Sequence, residues 1–552
     1  MEKIYILGNE QTNSWGAQIG ELIPFTTSLN DDFAIHDFVI SFFGRLKENC
    51  KIVIDLDSID PAISLRVALH IRLSLLDLKK ISFSPILLVS YFDLITFLSK
   101  GESSQFFLAQ AGFAFCSPDQ VSSNVRAICG LSADNYLEAF LNRIQIRPDA
   151  TIGTHSMANQ WGADVLNRII SKEDVDDIED IVKERKKLYY KFIYLNTIPI
   201  KEIIDDVQEK GLRRNEMCNA LQKNILLIDD EANKGWSYVL KKWLLGHSTF
   251  DVVNQPIKDY NDIPESIRKK ILDDYYDLYL LDLRLLGTQE DEIYDTNDFS
   301  GMKILRSIKK LNIGNQVIIL TASNKAWNMK SLLEAGADGY YIKESPELKL
   351  PKTFSEANYI SFCHDVKKAL ESGYKRIVYK KVVYIENQIK NSVKIDGDLA
   401  NEIISTISSA HNQFQKARNK KDIAYSYLTL FQVFEIICLD FVTSANNNTW
   451  IVNLDTPLYY YETDGQIPVK QGIISEEHPS IKRKMTSIYI EVCSGTNCKF
   501  LREDLFLDID RRNAFVHNDT AKLEDSKINK VYQADGFIHL LSTIDVILKG
   551  LL

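Results

Sequence analysis

Residues 224–230, NILLIDD, and 276–283, YDLYLLDL, are two apolar runs, each closing on aspartate. Neither alternates polar with apolar, the pattern of a strand buried on both faces. TFDVVN (249–254), QVIILTA (316–322) and GYYIK (339–343) continue the rhythm, with helical stretches between them. Five such strands separated by helices predict a doubly wound, five-stranded parallel sheet.

The same α/β layering reads in residues 1–125, where IYIL, KIVIDLD, SPILLVS and GFAFC are strands and ISLRVALHIRLSLLDL a helix. Residues 126–221 form a helical connector, in which Val175, Ile178, Val182, Leu188 and Phe192 recur at helical spacing among charges. After about residue 373 the strands stop. LANEIISTISSAHNQF, IAYSYLTLFQVFEIICLDFV and GFIHLLSTIDVILKGLL read as helices, with a polar interruption near 444–485. The fold class is therefore multidomain α/β plus all-α, in four parts: 1–125, 126–221, 222–372 and 373–552. At 552 residues the length suits three or four domains.

Composition narrows the function. The chain is 45% hydrophobic and 25% charged, which excludes a disordered or fibrous protein. Its net charge of -10 argues against a surface coated in nucleic acid or anionic lipid. The eight cysteines are scattered, so no disulfide framework is expected. Cys493 and Cys498 stand close without a second pair to complete a zinc set, and reduced thiols are the simpler reading. Acidic residues interrupt the apolar runs, so no membrane span is expected, and MEKIYILGNE lacks the apolar stretch of a signal peptide. A soluble, cytoplasmic protein is expected.

Chemistry gathers at the carboxyl ends of the second set of strands. Asp229 and Asp230 follow ILLI, and Asp282 follows LYLL. Neighbouring strand ends of a doubly wound sheet converge on one crevice, where three carboxylates repel one another unless a hard cation such as Mg²⁺ joins them. Thr321 ends a fourth strand and Lys343 a fifth. A hydroxyl and an ammonium beside such a site suit an arriving phosphoryl group.

Residues 222–372 resemble a response-regulator receiver domain, through LLIDDE, LYLLDL, ILTA and the lysine after GADGYYI. The resemblance implies that Asp282 is the phosphoacceptor, that Asp229, Asp230 and Asp282 hold Mg²⁺, that Thr321 is the switch hydroxyl and that Lys343 partners the phosphate. It implies an upstream histidine kinase or phosphotransfer protein as partner. Two departures stand out: an acidic loop after Asp282 (Glu290, Asp291, Glu292, Asp295, Asp298), and a proline displaced to Pro346.

Residues 1–125 fit the same plan in degenerate form. Asp55 takes the acceptor position and Ser90 the hydroxyl position, but Asn9 and Glu10 replace the acidic pair, and Cys116 or Ser117 the lysine. A receiver-like pseudo-domain used for contacts is expected. In the connector, GTHSMANQWGADVL places His155 and Asn159 four apart on one helical face, resembling the phosphoacceptor helices of histidine kinases. His155 is read either as a packing or capping residue or as a phosphohistidine exchanging phosphate with Asp282.

Near the C-terminus, LDIDRRNAFVHNDT holds Arg512, Asn513 and His517. Histidine handles a proton near neutral pH, and the planar arginine fork suits a scissile phosphate. In a helical setting this resembles the HEPN ribonucleases, whose motif is arginine, a polar residue, a short spacer and histidine. The resemblance implies catalytic Arg512 and His517, metal-independent RNA cleavage or RNA binding, a homodimer and a defence role. Arg511 is a second candidate phosphate contact and Glu435 a candidate for orienting the arginine. Lys375, Arg376, Lys380, Lys381, Lys390 and Lys394 form a basic run that either meets RNA or is a solvated face. The competing function is a non-enzymatic phosphorelay adaptor with a helical docking domain.

Overall fold

The computed structural model describes residues 2–25, 29–46, 50–98, 112–148, 154–170, 179–197, 200, 223–244, 249–290, 293, 295–322, 326–348, 350–392, 395–417, 419–445, 449–452, 456–457, 459–464, 467–473, 480–493 and 501–551. The chain divides into two compact units, Met1–Ser307 with Val317–Leu370, and Ile308–Gln316 with Glu371–Leu552.

The first unit holds two five-stranded parallel sheets. One is built from β1 (Lys3–Gly8), β2 (Glu21–Pro24), β3 (Cys50–Asp55), β4 (Ile86–Val89) and β5 (Phe113–Cys116), in the order β2-β1-β3-β4-β5. Its helices include α1 (Asp32–Phe43) and α2 (Pro61–Leu73). The expected single helix over 63–78 breaks at Ser74, whose N–H still bonds His70 O before Leu75–Leu78 starts a new turn. The connector supplies α3 (Thr154–Ile170), α4 (Glu179–Lys186) and α5 (Leu188–Thr197). Val175 and Ile178 lie outside the described residues.

The second sheet comprises β6 (Asn224–Ile228), β7 (Thr249–Val253), β8 (Leu278–Asp282), β9 (Val317–Thr321) and β10 (Gly339–Ile342), in the order β10-β9-β8-β6-β7, all parallel. Between and after them run α6 (Trp236–Leu244), α7 (Glu265–Leu272), α8 (Ser300–Leu311), α9 (Ala326–Glu334) and α10 (Lys352–Glu371). Both sheets share one topology, with the order reversing beside the first strand of each. That reversal opens a crevice at the carboxyl ends of the strands.

Connector helix α3 serves both sheets. Met157 and Trp161 belong to the core of the first, with Ile52, Ile54 and Leu88. Ala163 and Leu166 belong to the core of the second, with Leu227, Leu280 and Trp236. A helix apolar on two faces is buried between layers, so side chains between those faces are driven into the interior as well.

The second unit is a helical core with a strand insertion. It contains α11 (Tyr374–Lys390), α12 (Gly397–Lys416), α13 (Lys420–Phe441), α14 (Ile481–Cys493), α15 (Leu501–Val516) and α16 (Ala534–Leu551). Phe414 and Phe537 stack at 4.2 Å between α12 and α16. The expectation that strands stop after 373 is corrected by β11 (Val442–Ala445), β12 (Thr449–Val452), β13 (Thr456–Pro457), β14 (Tyr459–Asp464) and β15 (Ile467–Ile473). They pair antiparallel, β11-β12-β13 and β14-β15, so the polar interruption is a set of short ribbons. Helix α13 is long and apolar enough to cross a membrane by length and mean hydropathy (1.4), the one such helix among the described residues. Just over half of its most apolar 18-residue stretch is buried, and Tyr427, Leu430, Phe431 and Phe434 join the core of its own unit. Among the described residues Cys50, Cys116, Cys129, Cys363 and Cys438 are free thiols; the Cys493–Cys498 pair lies outside the described side chains.

Candidate functional site

Register places the acids before any side chain is considered. Ile228 pairs with Leu281, so Asp229 and Asp282 leave the sheet level with each other, and Asp230 follows one residue on. Ile342 pairs with Thr321, so Lys343 is the first residue past the end of β10. Its N–H bonds Thr321 O at 2.7 Å, which fixes the start of its side chain beside β9.

From there the Lys343 ammonium donates to Asp229 Oδ2 at 2.8 Å and to Asp282 Oδ2 at 2.5 Å. All three residues are buried. Burial works against charge on the lysine, but the two carboxylates outweigh it and hold its pKa above the ordinary value. Burial raises the Asp229 pKa, with Asp282 adding to it against the pull of Lys343. Asp230 is pushed up to about 7 by burial and then by Asp282 and Asp229. Thr321 is buried at the end of β9.

One ammonium cannot neutralise three acids. The ligand oxygens of Asp229, Asp230 and Asp282 lie within 4.8 Å of one another, and Asp230 Oδ1 is buried without a hydrogen-bond partner. Hard oxygen donors, excess negative charge and an orphaned carboxylate oxygen fit a divalent cation such as Mg²⁺, which takes carboxylates at short distance and keeps several waters.

The acidic loop after Asp282 does not add to this cluster through Glu290. That side chain is buried and turns back to accept from Leu285 N (2.9 Å), Leu286 N (3.2 Å), Ser300 N (2.6 Å) and Ser300 Oγ (3.0 Å). It clamps the loop into α8, as a carboxylate at a helix start does. Asp291 and Glu292 lie outside the described residues.

The lysine also meets a residue of the connector that no local sequence pattern points to. Asn159 of α3 accepts from Lys343 Nζ at 2.8 Å through Oδ1, and from Trp236 Nε1 at 3.1 Å. Its Nδ2 donates to Glu231 Oε2 at 2.8 Å. The ammonium also lies 5.1 Å from the centre of the Trp236 ring. Asn159 was visible only as a residue one turn from His155. The backbone of His155 belongs to α3, and its side chain lies outside the described residues.

The first sheet repeats the geometry and fills it differently. Leu7 pairs with Ile54, as Ile228 does with Leu281, so Gly8 and Asn9 stand where Asp229 and Asp230 do, one residue earlier than the expected Asn9 and Glu10. Extending the pairing of Val89 with Cys116 brings Pro118 to the lysine position, in place of Cys116 or Ser117. Asp55 Oδ2 accepts from Thr12 Oγ1 at 2.5 Å and Ser58 Oγ at 2.8 Å. A Cβ on Gly8 would lie 2.2 Å from Thr12 Oγ1, so the hydroxyl occupies the room a carboxylate would take. Ser90 Oγ donates to Asp57 Oδ1 at 2.8 Å. Hydroxyls satisfy this carboxylate without a cation.

In the helical unit, Arg512 and His517 lie at the C-terminal end of α15 and just beyond it. Arg512 Nη2 donates to Glu435 Oε1 at 3.2 Å, and Nη1 to Asn513 Oδ1 at 3.2 Å. His517 is exposed. Arg511 is not available as a second phosphate contact: it is buried, bonding Asp508 Oδ1 at 3.0 Å and Lys527 O at 3.0 Å. Asp508 also accepts from Tyr427 (2.9 Å) and Thr543 (2.8 Å) and lies 3.0 Å from His539 Nδ1, an internal polar hub of the bundle. Helix α11 buries Val378, Val382, Ile385 and Ile389, and of its basic run Lys375 and Lys381 bond Gln415 O and Ser542 Oγ. Lys394 lies outside the described residues.

No family model matches the chain. A 75-residue segment, 13% of this chain, is 36% identical to the nitrate/nitrite response regulator protein NarP of Escherichia coli (strain K12), and spans 30% of that protein's length. A solved two-component system response regulator/GGDEF domain protein aligns over 67% of this chain and all of its own, at 13% identity and a TM-score of 0.18. The similarity in sequence is thus to a response regulator, over a minor part of each chain.

Proposed function

We propose that the chain is a phosphorelay response regulator in which the receiver, residues 222–372, accepts a phosphoryl group on Asp282 and controls the helical domain, residues 373–552. The observation that carries this reading is the buried Lys343 ammonium shared between Asp229 and Asp282, with Asp230 beside them holding an unpartnered oxygen. A histidine kinase or phosphotransfer protein supplies the phosphoryl group. An Asp282 oxygen bonds to phosphorus as the P–N bond of the phosphohistidine breaks; its electron pair stays on the imidazole, which takes up a proton. Asp229, Asp230 and Asp282 would hold Mg²⁺, which supplies charge neutralisation for the incoming anion. Lys343 then donates to the phosphoryl oxygens, and Thr321 supplies its hydroxyl to the same group.

The helical domain is the effector in this reading. Arg512 and His517 belong to a HEPN-like motif that binds or cleaves RNA in a homodimer, with Arg512 on the phosphate and His517 on the proton. Its arginine is steadied by Glu435.

Two measurements test the proposal. Acetyl phosphate with Mg²⁺ should add one phosphoryl group per chain by intact mass, and Asp282→Ala should add none; equal labelling in both removes the receiver reading. Expression of wild type beside His517→Ala and Arg512→Ala, with cellular RNA profiled, tests the effector. Identical RNA profiles in all three leave the adaptor reading in its place.

A further inference from the structure

We propose that helix α3 is an intramolecular cap on the phosphoacceptor site, latched by Asn159, and that a phosphoryl group on Asp282 competes with Asn159 for Lys343 and releases the cap. The inference rests on the proposed role of Asp282 and adds control of that site by the connector.

The latch is a matter of counting donors. A lysine ammonium has three hydrogens. Those of Lys343 meet three acceptors: Asn159 Oδ1 at 2.8 Å, Asp229 Oδ2 at 2.8 Å and Asp282 Oδ2 at 2.5 Å. A phosphoryl group bonded to Asp282 brings anionic oxygens within reach of the same ammonium. In the acyl phosphate the Asp282 oxygens are neutral and the negative charge sits on the phosphoryl oxygens, so Asp229 and two phosphoryl oxygens can take all three hydrogens. Bonds between ionised partners are roughly twice as strong as those with a neutral one, so the neutral amide of Asn159 is displaced along with the neutral Asp282 oxygen.

Asn159 does not sit there by accident of a long side chain. It is 2% exposed, and it also bonds Trp236 Nε1 and Glu231 Oε2, on the segment that follows Asp229 and Asp230. One turn further, Gly162 rests on the backbone that carries the lysine. A Cβ there would lie 3.0 Å from Glu344 O, 3.3 Å from Glu344 N and 2.9 Å from the Trp236 ring. The seat of α3 is therefore the peptide unit next to Lys343, and only a glycine approaches it so closely. Ala163 and Leu166 extend the contact into the core of the second sheet. Through this amide at the charged centre and the glycine against its rim, α3 is coupled to the position of Lys343. Because coupling is reciprocal, the cap must also oppose phosphorylation.

The test uses the full chain with Mg²⁺ and acetyl phosphate, a donor small enough to need no docking surface. In the labelling step an Asp282 oxygen bonds to phosphorus, the acetyl O–P bond breaks, and acetate leaves with the electron pair. Two quantities are read together: phosphate per chain by intact mass, and backbone hydrogen exchange over 157–170 by mass spectrometry. Labelling should speed exchange in that helix about five- to tenfold. Asn159→Ala should speed it by a similar factor without phosphate and raise the labelling rate several-fold. Gly162→Ala, which keeps the Asn159 side chain but displaces its helix from the Lys343 backbone, should act in the same direction, with far-UV dichroism of both variants unchanged. One phosphate per chain with unchanged exchange over 157–170 overturns the cap and leaves the receiver reading standing. Failure of the wild type to take up phosphate, or equal uptake by Asp282→Ala, removes the receiver reading and the cap with it.

Discussion

Lys343 Nζ lies 2.5 Å from Asp282 Oδ2, and this contact makes the proposed phosphoacceptor a half-neutralised carboxylate. The lysine is as much a structural counter-ion as a phosphate partner, because Asp229 depends on it too. Removing one member of a buried ion pair leaves a desolvated charge, which costs about 3–5 kcal/mol. Lys343→Met should therefore lower unfolding stability by roughly that amount in EDTA. Millimolar Mg²⁺ should recover a large part of the loss, since a cation held by Asp229, Asp230 and Asp282 replaces the missing charge. Urea unfolding followed by tryptophan fluorescence reads both values. A variant as stable as wild type in EDTA contradicts the counter-ion role.

The first sheet offers a control. Asp55 occupies the position of Asp282 but is bonded to Thr12, Ser58 and the N–H of Asp57. Asp55→Asn disturbs three buried or half-buried hydrogen bonds and should cost about 1–3 kcal/mol. Labelling by acetyl phosphate should stay at one phosphate per chain, all of it on Asp282. Loss of half the label in Asp55→Asn contradicts the reading of this site as self-satisfied.

Much of this could be read from the chain alone, and the misses have physical causes. Strands β6, β8 and β9 announce themselves because both their faces are buried, β10 continues their rhythm, and the closing residues Asp229, Asp282, Thr321 and Lys343 follow from the pattern. Strand β2 (ELIP) escaped because it is four residues long and lies between Gly20 and a terminal proline, with only Ile23 buried. The ribbons over 442–473 escaped because most of their strands mix in polar residues, and antiparallel pairing needs no continuous apolar run. The role of Asn159 could not be read at all. It depends on a bond to Lys343 across 184 positions, which no local pattern encodes. Arg511 and Arg512 are neighbours of one type, yet only the side of α15 each occupies decides that the first is buried on Asp508 and the second reaches Glu435.

The Asp508 hub gives the helical unit a pH dependence. Burial lowers the His539 pKa, but its contacts with Asp508 and Asp504 more than compensate, and the net shift is upward. A histidine whose folded pKa exceeds its unfolded value binds the proton more tightly in the native state. Its stabilisation is complete below the unfolded pKa, about 6.5, and disappears as pH rises through the higher folded value. Unfolding stability should thus fall as pH rises above about 6.5, and His539→Gln should flatten that slope. Identical slopes in the two proteins contradict the assignment.

Arg512 and Glu435 separate a functional arginine from a merely paired one. Their side chains are 27% and 41% exposed, so the ion pair is screened by water and should contribute about 0–1 kcal/mol to stability. Arg512→Ala and Glu435→Gln should then each unfold within about 1 kcal/mol of wild type. Their effects on RNA should differ sharply. Loss of an arginine contacting phosphate should weaken binding of a single-stranded RNA about tenfold and reduce the dependence on salt by about one ion. Glu435→Gln keeps the arginine and removes only its anchor, so its salt dependence should match wild type while affinity changes by less. Fluorescence anisotropy titrations at several salt concentrations measure both. Indistinguishable salt slopes for Arg512→Ala and wild type mean that this arginine meets no phosphate, and the pair with Glu435 is then a surface contact of the bundle and nothing more.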